Sequence, residues 1–209
     1  MENNGIMTLF GAGTAQTEVK RSIFISSAIP AKSENDALGF ISSVREKYPD
    51  ATHTVYAYVL RENNTARFFD DGEPHGTAGV PVLEVLRKEN IFDAAITVTR
   101  YFGGTLLGAG GLVRAYTAAA KAALDNAHRG IAVVWVRFVF KISYRQNDKV
   151  QYELKKAGVL IEATAFAGDI TLTVSVPHSK EEALISLARA LVQGTPDLQK
   201  LGVFEAPIA

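Results

Sequence analysis

Five glycines lie within nine residues of this chain, between a stretch typical of a strand and a stretch typical of a helix. The segment reads VTRYFGGTLLGAGGLVRAY over residues 98–116 and contains Gly103, Gly104, Gly108, Gly110 and Gly111. Glycine weakens both kinds of element, so this density indicates a turn. Glycine also allows positive φ angles and a close approach of the backbone to another group. The segment therefore predicts a tight turn between a strand and a helix. We call residues 103–111 the glycine turn.

A glycine turn that leads into a helix can bind an anion. The first N–H groups of a helix have no partner within it, and the helix dipole adds partial positive charge there. Arg100 precedes the turn, Arg114 follows it, and Lys121 lies seven residues further on the same helix face. The pattern therefore predicts a phosphate site. Its spacing is neither that of a P-loop nor that of a dinucleotide-binding turn, so a turn that only packs helix against sheet is the alternative.

Charge is unevenly distributed along the chain, although its 22 basic and 22 acidic residues give zero formal net charge. Residues 62–93 hold seven acids and three bases, whereas residues 94–124 hold no acid and the three cations named above. At zero net charge, any binding of nucleic acid must depend on a local patch. The acid-free window surrounds the glycine turn and favours an anionic partner, with a chance distribution as the alternative.

A second candidate site is the acidic loop (residues 70–79), within the stretch FFDDGEPHGTAG. The carboxylates of Asp70, Asp71 and Glu73 are oxygen ligands of the kind that Mg²⁺ prefers, or could divide general acid and base roles. Asp-Gly and Glu-Pro are also common in turns, where Asp side chains bond the amides of their own loop. The spacing of a calcium-binding loop is absent. We expect no cofactor for a binding protein, and Mg²⁺ only in an enzyme.

Other catalytic classes find little support in the sequence. His53 at a predicted strand start and His75 in the acidic loop could act with the carboxylates or be structural. No histidine pair has metal-ligand spacing, no serine lies in a nucleophile elbow, and the absence of cysteine excludes thiol chemistry and disulfides. Six aromatic residues on predicted strands either stack on bases or form core: Tyr56, Tyr58, Phe68, Phe69, Tyr101 and Phe102.

Two domains are predicted, residues 1–130 and 131–209, because the pattern pauses around residues 125–130. In the first, strands are predicted over residues 19–29, 53–60, 65–69 and 94–102, and helices over residues 80–90, 111–127 and the stretch between Ser33 and Pro49. Ser33 and Asp36 form a capping pattern. The third helix is expected to bury Val113, Tyr116, Ala120 and Leu124.

The second domain follows the order strand-helix-strand-strand-helix-strand, which is ferredoxin-like. Residues 134–144 alternate with period two, and their expected buried face is Val134, Val136, Phe138, Phe140, Ile142 and Tyr144. Helix 147–157 closes at Gly158, strands cover residues 159–166 and 170–176, and a helix opened by Ser179 with Glu182 precedes a last strand at residues 198–206.

No membrane or export segment is visible. No stretch approaches the roughly 20 apolar residues that a membrane-spanning helix needs. The first residues, MENNGIMTLFGAG, lack a basic start followed by a long apolar run. We therefore expect a cytoplasmic protein without a membrane partner.

Three blocks of the sequence resemble the signatures of the IMPACT family in its bacterial two-domain, YigZ-type form. They are ATHTVYAY, FFDDGEPHGTAGVPVLEVL and VTRYFGGTLLGAGGLVRAYTAA. The resemblance implies an α+β fold whose N-terminal domain is similar to the left-handed β-α-β fold of a small-subunit ribosomal protein's second domain. That fold also occurs in domain IV of elongation factor G and in GHMP kinases. The C-terminal domain is then similar to domain V of elongation factor G. Eukaryotic relatives regulate translation.

The family blocks also point to individual residues. Those expected to bind phosphate or nucleic acid, with the cation Lys121 added from the charge pattern, are Arg100, Tyr101, Gly103, Gly104, Gly108, Gly110, Gly111, Arg114 and Lys121. Those of the acidic loop and its neighbour, with His75 added because it lies in that loop, are His53, Asp70, Asp71, Gly72, Glu73, Pro74, His75, Gly76, Thr77 and Gly79. The family's basic run near the first strand is altered here to Lys20-Arg21-Ser22, and its frequent cysteine is Val55.

Three functions remain open from the sequence. The first is a cytoplasmic protein that binds RNA or the ribosome through the glycine turn in translation regulation. The second is a regulator that binds a translation-related protein without nucleic acid. The third is an enzyme that uses Mg²⁺ on a phosphorylated small molecule, by analogy with GHMP kinases.

Overall fold

The structure is a computed structural model that describes residues 5–192 and 195–207 of the chain. It divides into two compact units, one formed by Ile6–Ile131 and one that contains the chain from Ala132 onward. No helix among the described residues is long and apolar enough to cross a membrane.

The first unit is an antiparallel sheet covered by helices on both faces. Its elements are β1 (Ile6–Gly11), β2 (Gly13–Val19), β3 (Ser22–Pro30), α1 (Glu34–Lys47), β4 (His53–Leu60), β5 (Thr65–Phe69), α2 (Gly79–Lys88), β6 (Ala94–Tyr101) and α3 (Ala109–Asp125). The sheet order is β2-β3-β6-β4-β5, and each pairing is antiparallel. Helix α1 packs on one face of the sheet, and α2 and α3 pack on the other.

Local signals explain where α1 begins. Ser33 accepts a hydrogen bond from the backbone N–H of Asp36, and the Asp36 carboxylate accepts one from the N–H of Ser33, which confirms the predicted capping box. The hydrogen bonds from Ser33 hold the pKa of Asp36 below its usual value. Glu34 in the first turn accepts a hydrogen bond from the Tyr58 hydroxyl on β4. Burial and this contact raise the pKa of Tyr58 to about 12.

The start of the chain departs from the prediction. The predicted strand from residue 19 begins at Ser22, because Lys20 and Arg21 form the β2–β3 turn with φ of 48° and 68°. The strands β1 and β2 were not predicted at all. Strand β2 carries a weak hydrophobic pattern, because after Gly13 it alternates exposed and half-buried residues and Val19 is its only large apolar side chain.

The buried stripe of α3 is shifted by one residue at its start. Tyr116, Ala120 and Leu124 are buried as predicted, but Val113 is 39% exposed and Leu112 lies in the core instead. The predicted burial of Val113 is therefore wrong. The helix packs mainly through alanines, and their small side chains allow close contact with the sheet while giving little pattern from which to read the buried face.

The second unit has the predicted ferredoxin-like order. Its elements are β7 (His128–Ile142), α4 (Asn147–Lys156), β8 (Leu160–Phe166), β9 (Ile170–Pro177), α5 (Glu181–Leu191) and β10 (Asp197–Pro207). The strands pair antiparallel in the order β10-β7-β9-β8. The α+β fold class is confirmed.

Two expectations for the second unit are wrong in detail. Val134 and Tyr144, at the ends of the alternating run, are exposed: the core cluster takes β7 residues from Val136 to Ile142, and Tyr144 lies beyond the end of the strand. Ser179 does not cap α5. The residues before that helix form a 3₁₀ turn, and the helix begins at Glu181 with no side-chain cap.

Candidate functional site

The glycine turn is anchored to the sheet by two hydroxyl groups. The N–H of Phe102 donates to Thr52 Oγ1 at 3.0 Å, and the N–H of Gly103 donates to Ser22 Oγ at 3.1 Å. A Cβ at Gly103 would lie 2.1 Å from the carbonyl carbon of Arg21, so only glycine lets the turn approach the β2–β3 hairpin this closely.

The glycine turn leads into α3, whose N-terminus has no side-chain cap. Gly108, with φ of 71°, is the N-cap of α3 and has no side chain to accept a hydrogen bond. The first helical bond runs from the N–H of Leu112 to the carbonyl of Gly108. No described residue accepts from the N–H groups of Ala109, Gly110 or Gly111, and all three lie at the surface or close to it. These groups are therefore free for an external acceptor.

Two exposed arginines stand beside this turn. Arg114 is exposed on α3, with Nη1 3.7 Å from the position of a Cβ on Gly110. Arg21 comes from the β2–β3 hairpin, and its Nη2 lies 3.4 Å from Thr105 Oγ1. Arg21 was not among the predicted site residues. The sequence feature that could have indicated Arg21 is the altered basic run Lys20-Arg21-Ser22, because the β2–β3 hairpin places this run beside the glycine turn.

Arg100 is buried behind the turn rather than exposed on it. It is 5% exposed, and its Nη1 donates to Glu73 Oε1 at 2.6 Å. Nη2 donates to Ser22 Oγ at 3.3 Å, and the guanidinium lies 5.5 Å from the ring centre of Phe102. The Arg100 charge is thus compensated inside the protein, whereas the charges of Arg21 and Arg114 face outward.

The polar groups of two other predicted phosphate ligands bind acidic side chains. Lys121 forms ion pairs with Asp125 and with Glu89, the latter at 3.3 Å. The hydrogen bond to Asp125 is the main reason that the pKa of Lys121 is raised. The Tyr101 hydroxyl donates to Asp50 at 2.9 Å. Burial and this bond raise the pKa of Tyr101 above its usual value.

The three carboxylates of the acidic loop have separate partners. Asp70 accepts from the N–H groups at the start of α2, with Gly79 at 2.7 Å and Ala78 at 3.2 Å, and from Gly76 at 2.9 Å. Asp71 Oδ2 accepts from the N–H of Thr54 at 2.6 Å. Over the described part of the chain, no group of three or more His, Cys, Asp or Glu side chains is arranged to hold a metal ion.

The remaining polar groups of the acidic loop stabilise or border it. Thr77 Oγ1 donates to the carbonyl of Pro74 at 2.6 Å, and Gly72 and Gly76 take positive φ angles of 83° and 72°. The side chain of His75 is 97% exposed, 3.8 Å from Asp70. These contacts fit the turn chemistry that the sequence left open as an alternative.

Replacing Asp70 with alanine is expected to lower the free energy of unfolding by about 1.5–3 kcal/mol, because hydrogen bonds to a charged acceptor are lost at the start of α2. Chemical denaturation of the full chain measures the change. Asp169→Ala, at an exposed turn residue, is the control and is expected to stay within about 0.5 kcal/mol. Equal values for the two variants would contradict the capping role of Asp70.

Glu73 joins the acidic loop to the glycine turn. Its side chain is 3% exposed, and Oε1 accepts from Arg100 and, at 2.7 Å, from the Tyr116 hydroxyl. Burial, then the hydrogen bond to Glu73, raises the pKa of Tyr116 far above its usual value, so the hydroxyl is a permanent donor. His53 Nε2 lies 3.8 Å from Glu73 Oε1, while His53 Nδ1 lies 2.7 Å from the carbonyl of Asp71. The hydrogen-bonded carbonyl requires Nδ1 to be the donor.

The two predicted segments enclose one cavity, which we call the site cavity, of about 350 Å³. It is lined by Thr52, His53, Glu73, Pro74, Arg100, Phe102, Leu106, Leu107, Gly108, Ala109 and Leu112. Glu73 also borders a second hollow formed by the acidic loop and the end of β5. The site cavity thus combines an apolar wall, three ionisable side chains and the first residues of α3.

The sequence matches two domain families. One is described as Impact N-terminal domain and covers residues 20–124, and the other is described as Domain of unknown function (DUF1949) and covers residues 140–195. The chain is 33% identical over 199 residues to the IMPACT family member YvyE of Bacillus subtilis (strain 168), across 92% of this chain and 89% of that protein. The chain belongs to the IMPACT family.

A second relative and a solved structure agree with this assignment. YigZ of Escherichia coli (strain K12) is 32% identical over 170 residues, across 80% of this chain and 83% of that protein. A crystal structure of a hypothetical protein, 28% identical, gives a TM-score of 0.59 and covers 95% of this chain and 98% of that one. The YigZ-type resemblance is confirmed. The likeness of the second unit to domain V of elongation factor G stays a prediction.

Proposed function

We propose that this IMPACT-family protein binds RNA, free or within the ribosome, and acts in the regulation of translation. The observation that carries the proposal is the uncapped N-terminus of α3, with exposed Arg114 beside Gly110 and exposed Arg21 beside Thr105 of the glycine turn. Free N–H groups and the helix dipole favour a phosphate, and arginine adds bidentate hydrogen bonds to one.

The charge pattern around the turn supports the same ligand. Arg100, the only other arginine near the turn in the described residues, is neutralised by Glu73, so it shapes the site from behind. No acid lies between residues 94 and 124 to repel a phosphate. The translational role rests on family membership, since the resemblance implies that eukaryotic relatives regulate translation.

RNA binding is expected to weaken steeply with salt, because cations that neutralise phosphates release counterions. Fluorescence anisotropy with a short labelled single-stranded RNA, repeated across salt concentrations, measures the slope of log K against log salt. For Arg21→Ala/Arg114→Ala we expect weaker binding and a slope smaller by about 1.4, which is about 0.7 for each lost phosphate contact.

A matched variant removes the same charge elsewhere. Arg87→Ala/Lys88→Ala alters the last turn of α2, next to Glu89, which contacts Lys121 rather than the glycine turn. It is expected to keep the affinity and slope of the wild-type chain. No binding at low salt, or equal losses in both double variants, would overturn the proposal. Loss of a co-purified protein from the Arg21/Arg114 variant, with RNA binding unchanged, would favour the protein-interaction alternative.

A further inference from the structure

We propose that the site cavity receives one nucleobase that carries an exocyclic amine, with the attached phosphate at the N-terminus of α3. The inference rests on the proposed function, because it assigns the base next to the phosphate that the glycine turn binds. The base is that of a free nucleotide or of one nucleotide in an RNA strand. Both present the same chemistry to the cavity, and the experiment below separates them.

The size and lining of the cavity suit a single nucleotide. Its volume of about 350 Å³ lies near the lower end of the range for small-molecule pockets, roughly 300–1,000 Å³. Its wall includes Phe102 and three leucines, Leu106, Leu107 and Leu112. Apolar and aromatic side chains of this kind can cover the two faces of a flat base.

Glu73 supplies an unused hydrogen-bond acceptor in this wall. Its Oε1 is occupied by Arg100 and Tyr116, but no described residue donates to its Oε2. Oε2 is not among the fully enclosed polar atoms without a partner, so it retains open space beside it. A carboxylate that is 97% buried and ion-paired with Arg100 only accepts hydrogen bonds. Oε2 of Glu73, a residue of the cavity wall, therefore has no hydrogen-bond donor among the described residues.

The orientation of this acceptor is tightly determined. Tyr116 and Arg100 hold Oε1 from two sides at 2.7 Å and 2.6 Å, which prevents the carboxylate from rotating away. Cytosine presents a donor, its 4-amino group, where uracil presents a carbonyl oxygen. A carbonyl oxygen placed against Oε2 would leave both acceptors unpaired and desolvated, which is costly in a buried site. Glu73 should therefore favour cytosine over uracil.

The base and phosphate positions belong to the same cavity. Gly108 and Ala109, the N-cap and first residue of α3, line it together with Glu73. A nucleotide whose base points at Glu73 can thus place its phosphate at the free N–H groups of Ala109 and Gly110. In this arrangement one ligand uses both the free N–H groups at the start of α3 and the apolar wall beside them.

Cytidine and uridine 5′-monophosphate test the inference, because they differ only along one edge of the base: cytosine has the 4-amino donor beside an N3 acceptor, and uracil has a 4-carbonyl acceptor beside an N3–H donor. Calorimetric titration of the full chain is expected to give at least about tenfold tighter binding of the cytidine nucleotide, within the discrimination known for base-edge contacts. In parallel, labelled oligocytidine and oligouridine are compared by anisotropy. A preference in the strands alone assigns the base to RNA, and a preference in the mononucleotides assigns it to a free nucleotide as well.

Two variants show whether the preference comes from the cavity. Glu73→Gln adds a donor to the site and is expected to erase the preference. Since this change also removes a buried charge, Ala109→Trp is the second variant. Ala109 is exposed and lines the cavity, so a bulky side chain there blocks the cavity without entering the core.

The outcomes separate the inference from the proposed function. Equal binding of the cytosine and uracil ligands, or a preference that survives in Ala109→Trp, overturns the inference. If RNA binding then keeps its dependence on Arg21 and Arg114, the proposed function still stands. A cytidine preference in the mononucleotides without any RNA binding supports the cavity assignment and overturns the RNA proposal.

Discussion

Glu73→Gln is expected to lower the free energy of unfolding by about 3–5 kcal/mol, the usual cost of leaving one member of a buried ion pair without its partner. The Glu73 and Arg100 side chains are 3% and 6% exposed and meet at 2.6 Å. Glutamine preserves the shape of the side chain but removes the charge that compensates the Arg100 guanidinium. Urea denaturation of the full chain, followed by circular dichroism, measures the loss.

The matched control makes the same substitution in an exposed pair. Glu84 lies 3.1 Å from Arg87 on the surface of α2, where the two side chains are 41% and 54% exposed. Glu84→Gln is expected to cost less than about 0.5 kcal/mol, as is typical of helix surface pairs. A Glu73→Gln effect as small as that of the control would contradict a buried, charged pair at the centre of the site.

A double-mutant cycle separates the ion pair from the hydrogen bond to Tyr116. Glu73→Gln/Arg100→Met removes both charges. Its loss of unfolding free energy is expected to be clearly less than the sum of the two single losses, because each single variant leaves a buried charge unpaired and the double variant leaves none. Additive losses would mean that Glu73 and Arg100 stabilise the fold independently of each other.

Gly103→Ala is expected to lower the free energy of unfolding by roughly 3 kcal/mol, at the upper end of overpacking effects. The new methyl group would lie 2.1–2.4 Å from the backbone of Arg21 and Ser22, and backbone cannot give way as a flexible side chain does. The β2–β3 hairpin and the glycine turn must separate, and the hydrogen bond from Gly103 to Ser22 is lost with them. Denaturation and RNA anisotropy on the same variant measure both consequences.

Two other glycines serve as controls that separate steric overlap from backbone strain as the cause of this loss of stability. Gly104 has φ of 80° and open space around it, so Gly104→Ala is expected to cost only the backbone strain of about 1–2 kcal/mol. Gly168 has open space and no positive φ, and Gly168→Ala should stay within about 0.5 kcal/mol. A loss of unfolding free energy that is largest for Gly103→Ala, smaller for Gly104→Ala and smallest for Gly168→Ala would support the close approach of the glycine turn to the β2–β3 hairpin. A Gly103 variant no less stable than the Gly104 variant would contradict it.

Much of the fold could be read from local sequence signals. Ser33 and Asp36 cap α1 through bonds between residues three apart, and β4 spans His53–Leu60 as the pattern predicts. The order of strands and helices in the second unit could be predicted because its segments show strand-like and helix-like hydrophobic periods in turn. The predictions fail where periodicity is weak or misleading: at β2, which has few apolar side chains, and at Val113, which is exposed on a helix that buries mostly alanine.

The candidate site was predictable in its parts but not in its arrangement. The acidic loop and the glycine turn were both identified, yet Arg100 was expected to offer its charge outward. Instead it is paired with Glu73, and Arg21 contributes an exposed cation beside the turn. Spacing along the chain carries no information about which of two nearby cations will be neutralised, because that depends on which carboxylate the folded sheet brings alongside.

By itself, the sequence determined most of the elements and one requirement: a strand must turn into a helix through glycines at residues 103–111. Those properties arise from backbone freedom and hydrophobic period, which act between neighbours in the chain. The tertiary structure alone decided that Glu73, 27 residues before Arg100, neutralises it, and that Ser22, 78 residues before it, supports both Arg100 and the turn. Charge compensation and close packing act through space, so they exist only once the strands have paired.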